Sequence, residues 1–137
     1  MSDTPQQKIG HPVWFDLTLP DAEPVRDFYT RVLGWRSEAV DMGGYSDFVM
    51  QAPDGSGVAG VCNARGTNAD MPPVWMVYFL VEDLEAAVEA VSSQGGRVLK
   101  APSRAGAGRY AVIQDPAGAA CALYQVEVEY EMETETD

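Results

Sequence analysis

The chain carries PVWFDLTLPD at Pro12–Asp21 and PVWMVYFLVED at Pro73–Asp83, two stretches that start alike 61 residues apart. A second similarity follows in the same order, since QAPDG at Gln51–Gly55 matches QDPAG at Gln114–Gly118 at a spacing of 63 residues. Ordered matches at a nearly constant spacing indicate two copies of one structural module, with small insertions between them.

Each module is predicted to fold as a strand, a helix and three further strands. In the first module Asp21 is expected to cap the helix and Gly34 to end it. Short aromatic and β-branched runs predict the strands, at residues 13–19, 35–40, 45–51 and 57–63, and again at 74–81, 97–101, 108–114 and 119–126. The first helix has five apolar residues at helical spacing: Val25, Phe28, Tyr29, Val32 and Leu33. Of these, Phe28, Tyr29 and Leu33 are assigned to packing.

The predicted fold class is α+β. Two tandem βαβββ modules, residues 10–64 and 73–126, are expected to form one domain with a curved mixed sheet or incomplete barrel around a cleft and the helices outside. Residues 1–9 are predicted to be flexible, residues 127–137 to be a disordered acidic tail, and residues 103–108 to be a mobile loop.

Composition and charge exclude several classes of function. The 137 residues are 46% hydrophobic, which suffices for the core of one domain. The net charge of −12 would repel a phosphate backbone, so no nucleic-acid partner is expected. No apolar run approaches the roughly 20 residues that span a bilayer, and the N-terminus lacks a secretory signal. A cytoplasmic protein without a membrane partner is therefore predicted.

The histidine and cysteine content limits the chemistry further. His11 is the only histidine in the sequence, and Cys62 and Cys121 lie in apolar, strand-like runs. Reduced, buried thiols are predicted in preference to a disulfide. A single histidine argues against a multi-histidine metal site and against a Cys–His nucleophile pair.

The motifs together resemble the vicinal oxygen chelate superfamily, which includes glyoxalase I, extradiol dioxygenases and bleomycin-binding proteins. The resemblance covers about residues 10–126 and depends on Asp21 with Phe28–Tyr29 and Leu33–Trp35, on Asp83–Ala87, and on the Asp115–Gly118 turn. It implies eight strands around a cleft that often holds a divalent metal. It also implies a homodimer, for which the sequence offers Trp35, Tyr45 and Phe48 as apolar contacts.

In that family the metal ligands come from the first and last strands of each module. The family's spacing places them here at Trp14, Met76 (or its neighbour Trp75), Ala59 and Ala122. None of these side chains holds a divalent metal in the ordinary way, so no metal and no cofactor are expected. The alternative is a metal enzyme whose ligands are misaligned, for which the spare donors are His11, Asp47, Asp54 and Asn63.

Strand alternation predicts what lines the cleft instead. The residues expected to contact a ligand are Trp14, Thr18, Ala59, Asn63, Trp75, Met76, Tyr78, Ala122 and Tyr124. Asp16 shares the face of Trp14 and is the candidate general base, or else it caps a turn or pairs with an arginine such as Arg109. The two tryptophans, Trp14 and Trp75, either stack on a flat ligand or fill the core.

Two functions follow from these residues. The first is a metal-independent protein that binds a small aromatic or amphipathic compound in an apolar cleft. The second is an enzyme of the same superfamily, a glyoxalase-like lyase, isomerase or hydroxylase-like protein, which uses Asp16 and a tyrosine in place of a metal.

Overall fold

The structure, a computed structural model, describes residues 8–127. In that range the chain forms two α-helices, a 3-10 turn at Gly66–Asn68 and eight strands. Helices α1 and α2 are Ala22–Leu33 and Leu84–Ser93, and strands β1 to β8 are Pro12–Leu19, Arg36–Asp41, Ser46–Gln51, Gly57–Asn63, Trp75–Leu80, Arg97–Ala105, Gly108–Gln114 and Ala120–Val126. The predicted α+β class and the two βαβββ modules are confirmed.

The chain divides into two compact units. Within residues 8–127, the first unit is Trp14–Met76, and the second comprises residues 8–13 and 77–127. No helix between residues 8 and 127 is long and apolar enough to cross a membrane.

In the first unit the strand order is β2-β3-β4-β1, with β1 parallel to β4 and the other pairs antiparallel. Helix α1 covers one face of this sheet, where Ala22 packs with Phe48, Met50 and Val61. Met50 and Val61 are fully buried, and burial of each such side chain contributes about 1.5–3 kcal/mol. The opposite face of the same sheet carries the polar residues described below.

In the second unit the order is β5-β8-β7-β6, with β5 parallel to β8 and the other pairs antiparallel. Helix α2 packs on one face through Leu84, against a buried cluster of Ala111, Ile113 and Leu123. The two units therefore repeat one topology, as the internal repeat predicts.

Strand β4 contains an extra residue that β8 lacks. Its antiparallel pairing with β3 passes from Met50↔Ala59 to Gln51↔Gly57, which leaves Val58 as a β-bulge. The β7–β8 pairing proceeds without such a shift. A one-residue bulge exchanges the faces on either side of it, so counting forward from the preceding turn gives the wrong face.

The bulge corrects one prediction. In the parallel registers Asp16 lies opposite Gly60, and Tyr78 lies opposite Ala122. Gly60 therefore has the position in the first unit that Ala122 has in the second, whereas spacing alone predicted Ala59. Ala59 is on the α1 side of the sheet, where it is buried.

The first backbone N–H of each helix donates a hydrogen bond to a side chain of the last strand of the same module. Asp21 occupies the predicted N-cap position of α1, but its side chain makes no capping hydrogen bond. Oδ1 of Asn63 accepts from the N–H of Ala22 at 3.1 Å, and Oε1 of Gln125 accepts from the N–H of Leu84 at 2.6 Å. A residue at the end of β4 or β8 thus satisfies the first free N–H of the helix of its own module.

Helix α1 buries less of its apolar surface than predicted. At 100° per residue, Tyr29 and Leu33 lie within about 20° of the line of buried Ala22, whereas Phe28 and Val32 lie about 120° and 80° away from it. Phe28 and Val32 are accordingly exposed. Of the three residues assigned to packing, Tyr29 is partly buried, whereas Phe28 and Leu33 are exposed, so the assignment was wrong for Phe28 and incomplete for Leu33.

Two further predictions were wrong. Residues 103–105 belong to β6, which pairs with β7 through Ser103↔Tyr110 and Ala105↔Gly108. The small residues of 103–108 therefore form the end of a tight hairpin in place of a mobile loop. Phe48, offered as a dimer contact, is buried beneath the guanidinium of Arg26, whose Cζ lies 4.5 Å from the ring centroid.

The terminal predictions fall mainly on residues 1–7 and 128–137, outside the described range. Glu127 is described, and its carboxylate accepts from Arg109 at 2.7 Å and from Arg104 at 3.2 Å. Arg109 also forms an ion pair with Glu85. The guanidinium proposed as a partner for Asp16 is therefore engaged by two glutamates.

Candidate functional site

The face of the first unit opposite α1 carries Asp16. Because side chains alternate along β1, Trp14, Asp16 and Thr18 share this face, and Gly60 and Cys62 lie beside them in register. Thr18 is buried, while Trp14 and Asp16 are partly buried. The predicted association of these three β1 side chains on one face is therefore present.

Asp16 is held in a defined position. Nε1 of Trp14 donates a 2.8 Å hydrogen bond to Oδ1 of Asp16. Gly60 provides the space for this carboxylate, because a Cβ built at Gly60 would collide with the same Oδ1. The carboxylate thus lies against bare backbone of β4 with an indole N–H bound to it.

The thiol of Cys62 is on this face and is poorly reactive. Burial raises the pKa of the Cys62 thiol strongly, and the negative charges of Asp16 and Asp47 raise it further. The prediction of reduced thiols is confirmed, because Cys62 and Cys121 are both free, although each is only partly buried. A neutral thiol beside two carboxylates is a weak nucleophile.

Asn63, predicted to contact a ligand, has a structural role. Besides capping α1, its backbone N–H donates to Oδ1 of Asp47 at 2.9 Å, and its Nδ2 donates to the same atom at 3.1 Å and to the carbonyl of Ser46 at 2.7 Å. These bonds use both the oxygen and the nitrogen of the side-chain amide, and they bind the buried Asp47 to the end of β4.

In the second unit, tyrosines line the face opposite α2. The register places Tyr78 beside Ala122, and Tyr124 follows on the same face of β8. Tyr110 of β7 joins them, with its ring centroid 5.9 Å from that of Tyr78. Nζ of Lys100 donates to Oη of Tyr110 at 2.6 Å.

Sequence reasoning missed Tyr110 and Lys100. The alternation of core residues Ala111 and Ile113 along β7 could have placed Tyr110 on the face away from α2. Lys100 lies next to a register shift in β6, so no alternation rule could have placed its side chain.

Tyr124 has a partner of its own. Its Oη donates to the carbonyl of Ala105 at 3.3 Å. Burial, and then the charge of Glu127, raise the pKa of the Tyr124 hydroxyl. It therefore acts as a neutral hydrogen-bonding group at neutral pH.

The positions that would hold a divalent metal do not fit one. They carry an indole at Trp14, no side chain at Gly60, a thioether at Met76 and a methyl group at Ala122. Oxygen, imidazole or thiolate donors are absent from all four. Among residues 8–127 no group of three or more histidine, cysteine, aspartate or glutamate side chains could hold a metal ion elsewhere.

Two predicted ligand contacts, Ala59 and Trp75, lie on the α1 side of the first unit. They line a cavity of about 330 Å³, called the aromatic cavity below, together with Phe15, Tyr29, Leu33, Trp35 and Val58. Trp75 packs edge-to-face on Trp35, with ring centroids 6.1 Å apart. Trp14 and Trp75 therefore do not form a pair on one face, since Trp14 is directed to the opposite side with Asp16.

Comparison with known proteins gives a consistent assignment of family. The model of the Glyoxalase/Bleomycin resistance protein/Dioxygenase superfamily matches residues 8–123. The chain is 37% identical to the anthracycline biosynthesis protein DnrV of Streptomyces peucetius and 36% identical to DauV of Streptomyces sp. (strain C5), in each case over 85% of this chain and 47% of the relative. The chain thus spans about half the length of these curated relatives.

The fold is also similar to that of solved structures. Methylmalonyl-CoA epimerase from Mycobacterium tuberculosis aligns with a TM-score of 0.57 and 19% identity, over 90% of this chain and 91% of that one. At this identity the similarity extends to the fold alone.

Proposed function

The chain belongs to the Glyoxalase/Bleomycin resistance protein/Dioxygenase superfamily, and we propose that it is a metal-independent member that binds a small amphipathic aromatic compound. The proposed site is the sheet face that carries Trp14 and Asp16. The indole offers an apolar surface and the carboxylate offers a fixed acceptor, a combination suited to a flat molecule with a hydroxyl or amino group.

One observation carries this proposal. Where the superfamily places metal ligands, this chain has Trp14, whose N–H is bound to Asp16, and Gly60, whose missing side chain accommodates the same carboxylate. A preformed acceptor beside an apolar indole surface orients a ligand without a Lewis acid.

The relatives suggest a class of probe. DnrV and DauV carry names that refer to anthracycline biosynthesis, and anthracyclines contain a flat fused-ring system with polar substituents. This chain covers about half of each relative. An anthracycline therefore serves as a first test compound that represents flat aromatic molecules with polar substituents.

The test is a binding titration on the full chain with an anthracycline, following quenching of tryptophan fluorescence, with and without EDTA. We expect unchanged affinity in EDTA and at least tenfold weaker binding for Asp16→Asn. Asp70→Asn makes the same charge change at an exposed position of the first unit and should leave the affinity unchanged. Loss of binding in EDTA, or equal effects of the two variants, would overturn the proposal.

The position of Asp16 also favours a second function, proton transfer on a bound ligand. The Asp16 carboxylate is fixed by an indole N–H on a partly buried face. This is the kind of position in which a carboxylate acts as a general base. This function requires turnover of a compound that binds, and Asp16→Asn should then abolish turnover while Asp70→Asn retains it. Unchanged turnover in Asp16→Asn would remove Asp16 from the chemistry.

A further inference from the structure

The aromatic cavity lies on the other side of the first unit's sheet from Asp16. Phe15 alternates with Trp14 and Asp16 along β1, and Ala59 is on the same side of β4 as the buried core residue Val61. The cavity is therefore distinct from the face on which the proposed function depends.

The last residue of the helix above the cavity is only partly covered. Tyr29 and Leu33 share the line of Ala22, which is fully buried, yet Leu33 is 46% exposed. On the sheet below them stands the methyl group of Ala59, which is 1% exposed. A small residue under a line of large ones leaves a recess in place of a filled core.

The walls of the recess are aromatic and make an interlocked arrangement. The ring of Trp75 stands edge-to-face against Tyr29 at 5.4 Å and against Trp35 at 6.1 Å between centroids. Nε1 of Trp75 donates to Oη of Tyr29 at 3.1 Å. This bond occupies the indole N–H within the wall itself.

The lining determines the charge of an occupant. The seven lining residues include no ionisable group except the Tyr29 hydroxyl, in a chain whose net charge is −12. A charged ligand would lose its hydration without gaining a partner. A volume of about 330 Å³ is at the lower end of the roughly 300–1,000 Å³ typical of small-molecule pockets.

From these features we propose that the aromatic cavity is a second binding site, which takes an uncharged flat aromatic molecule of one to three fused rings. Such a molecule packs its faces and edges against Trp35, Trp75 and Phe15. A second copy of this chain is a poorer occupant, because two molecules that each carry a charge of −12 repel one another.

The three tryptophans supply the experiment. The chain contains three indole N–H groups, of which those of Trp35 and Trp75 belong to the cavity and that of Trp14 is bound to Asp16 on the opposite face. The protein, labelled with ¹⁵N at its tryptophan side-chain nitrogens, is titrated with unlabelled free indole. The NMR signals of the three side-chain N–H groups are followed and are assigned from Trp→Phe variants. We expect saturable shifts for Trp35 and Trp75, little change for Trp14, and at least tenfold weaker binding of indole-3-carboxylate.

Two variants and a matched control complete the test. Ala59→Leu fills the cavity, and Leu33→Lys places a charge at its mouth, so each should weaken indole binding at least tenfold. Val32→Lys makes the same change at the adjacent residue of α1, which is 58% exposed and does not line the cavity, and binding should persist. If Ala59→Leu does not fold, Leu33→Lys and Val32→Lys decide the question.

Three results would overturn the proposal. They are equal shifts at all three tryptophans, retention of binding in Leu33→Lys, and movement of the Trp35 and Trp75 signals with protein concentration in the absence of indole, which would identify a second copy as the occupant. None depends on Asp16, so failure here is distinguishable from failure of the proposed function.

Discussion

The indole N–H of Trp14 donates to Oδ1 of Asp16 at 2.8 Å, from a position two residues earlier on the same strand. Residues two apart on a strand point to the same face, so this bond needs no distortion of β1. The carboxylate is then directed over β4, where Gly60 accommodates it. The indole N–H of Trp14 and the missing side chain of Gly60 thus both contribute to the position of Asp16.

Gly60→Ala should destabilise the protein by about 1–3 kcal/mol, because the added methyl group collides with Asp16 in a packed region. Gly57→Ala is the matched control on the same strand. There a Cβ would meet Val49 at 3.5 Å and Trp14 at 3.9 Å, which are ordinary contacts. Urea unfolding should show a loss for Gly60→Ala and a change within about 0.5 kcal/mol for Gly57→Ala.

The double variant Asp16→Ala, Gly60→Ala tests the cause. Removing the carboxylate should restore most of the lost stability, with a coupling energy of about 1 kcal/mol or more between the two sites. Additive effects would mean that Gly60→Ala acts through β4 itself and that its space for Asp16 is unimportant.

Asn63→Ala should cost about 2 kcal/mol or more. The variant removes the cap on Ala22, worth about 0.5–2 kcal/mol, and also takes a side-chain donor from the buried Asp47. Asp21→Ala should change stability by less than about 0.5 kcal/mol, although sequence rules assign the cap to Asp21, because its side chain makes no capping bond. Equal losses in the two variants, measured by thermal unfolding, would contradict this assignment.

The internal repeat predicts most of the fold because both modules place the same residue types at the same turns and helix ends. The repeat spacing predicted Ala59 at the position that Gly60 occupies. The cause of this error is the bulge at Val58, which adds one residue to β4 and reverses the faces beyond it. The parallel partners Asp16↔Gly60 and Tyr78↔Ala122 preserve the repeat. Spacing counted from these strand pairs gives the right residue, and spacing counted from the turn does not.

The candidate site was predicted less completely than the fold. Alternation along β1 correctly groups Trp14 with Asp16, because it depends on one strand alone. The cap formed by Asn63 depends on a contact between a strand end and a helix 41 residues away, which no local pattern encodes. The aromatic cavity likewise arises from how Leu33 and Ala59 meet, and neither residue is distinctive in sequence.

Glu85 makes the stability depend on pH in the acid range. Its hydrogen bond with Arg109 is the main cause that lowers the pKa of the Glu85 carboxyl. A lowered pKa in the folded state means that the contribution is present above the pKa of the unfolded chain, about 4.3, and is lost as the pH falls through the folded value. The urea midpoints of the wild type and Glu85→Gln should therefore differ at pH 7 and converge towards pH 3.

Glu89→Gln is the control for that experiment, since Glu89 is an exposed acid on the same helix. The difference between the urea midpoints of Glu89→Gln and the wild type should be small at pH 7 and at pH 3. A difference between the wild type and Glu85→Gln that persists at pH 3 would show that the ion pair with Arg109 is not its source.

Cys62 gives the opposite dependence in the alkaline range. Burial is the main cause that raises the pKa of this thiol, and the charges of Asp16 and Asp47 add to it. A raised pKa in the folded state means that stability is complete below the pKa of an unfolded cysteine, about 8.5, and then declines by up to about 1.4 kcal/mol per pH unit. Urea unfolding at pH 7, 9 and 10 should show this decline in the wild type and a smaller one in Cys62→Ala. The same decline in both proteins would show that other groups cause it.

Thiol labelling tests the burial of Cys62 directly. If a thiol reagent labelled Cys62 as fast in the folded protein as in the unfolded protein, the side chain would not be shielded as the structure places it.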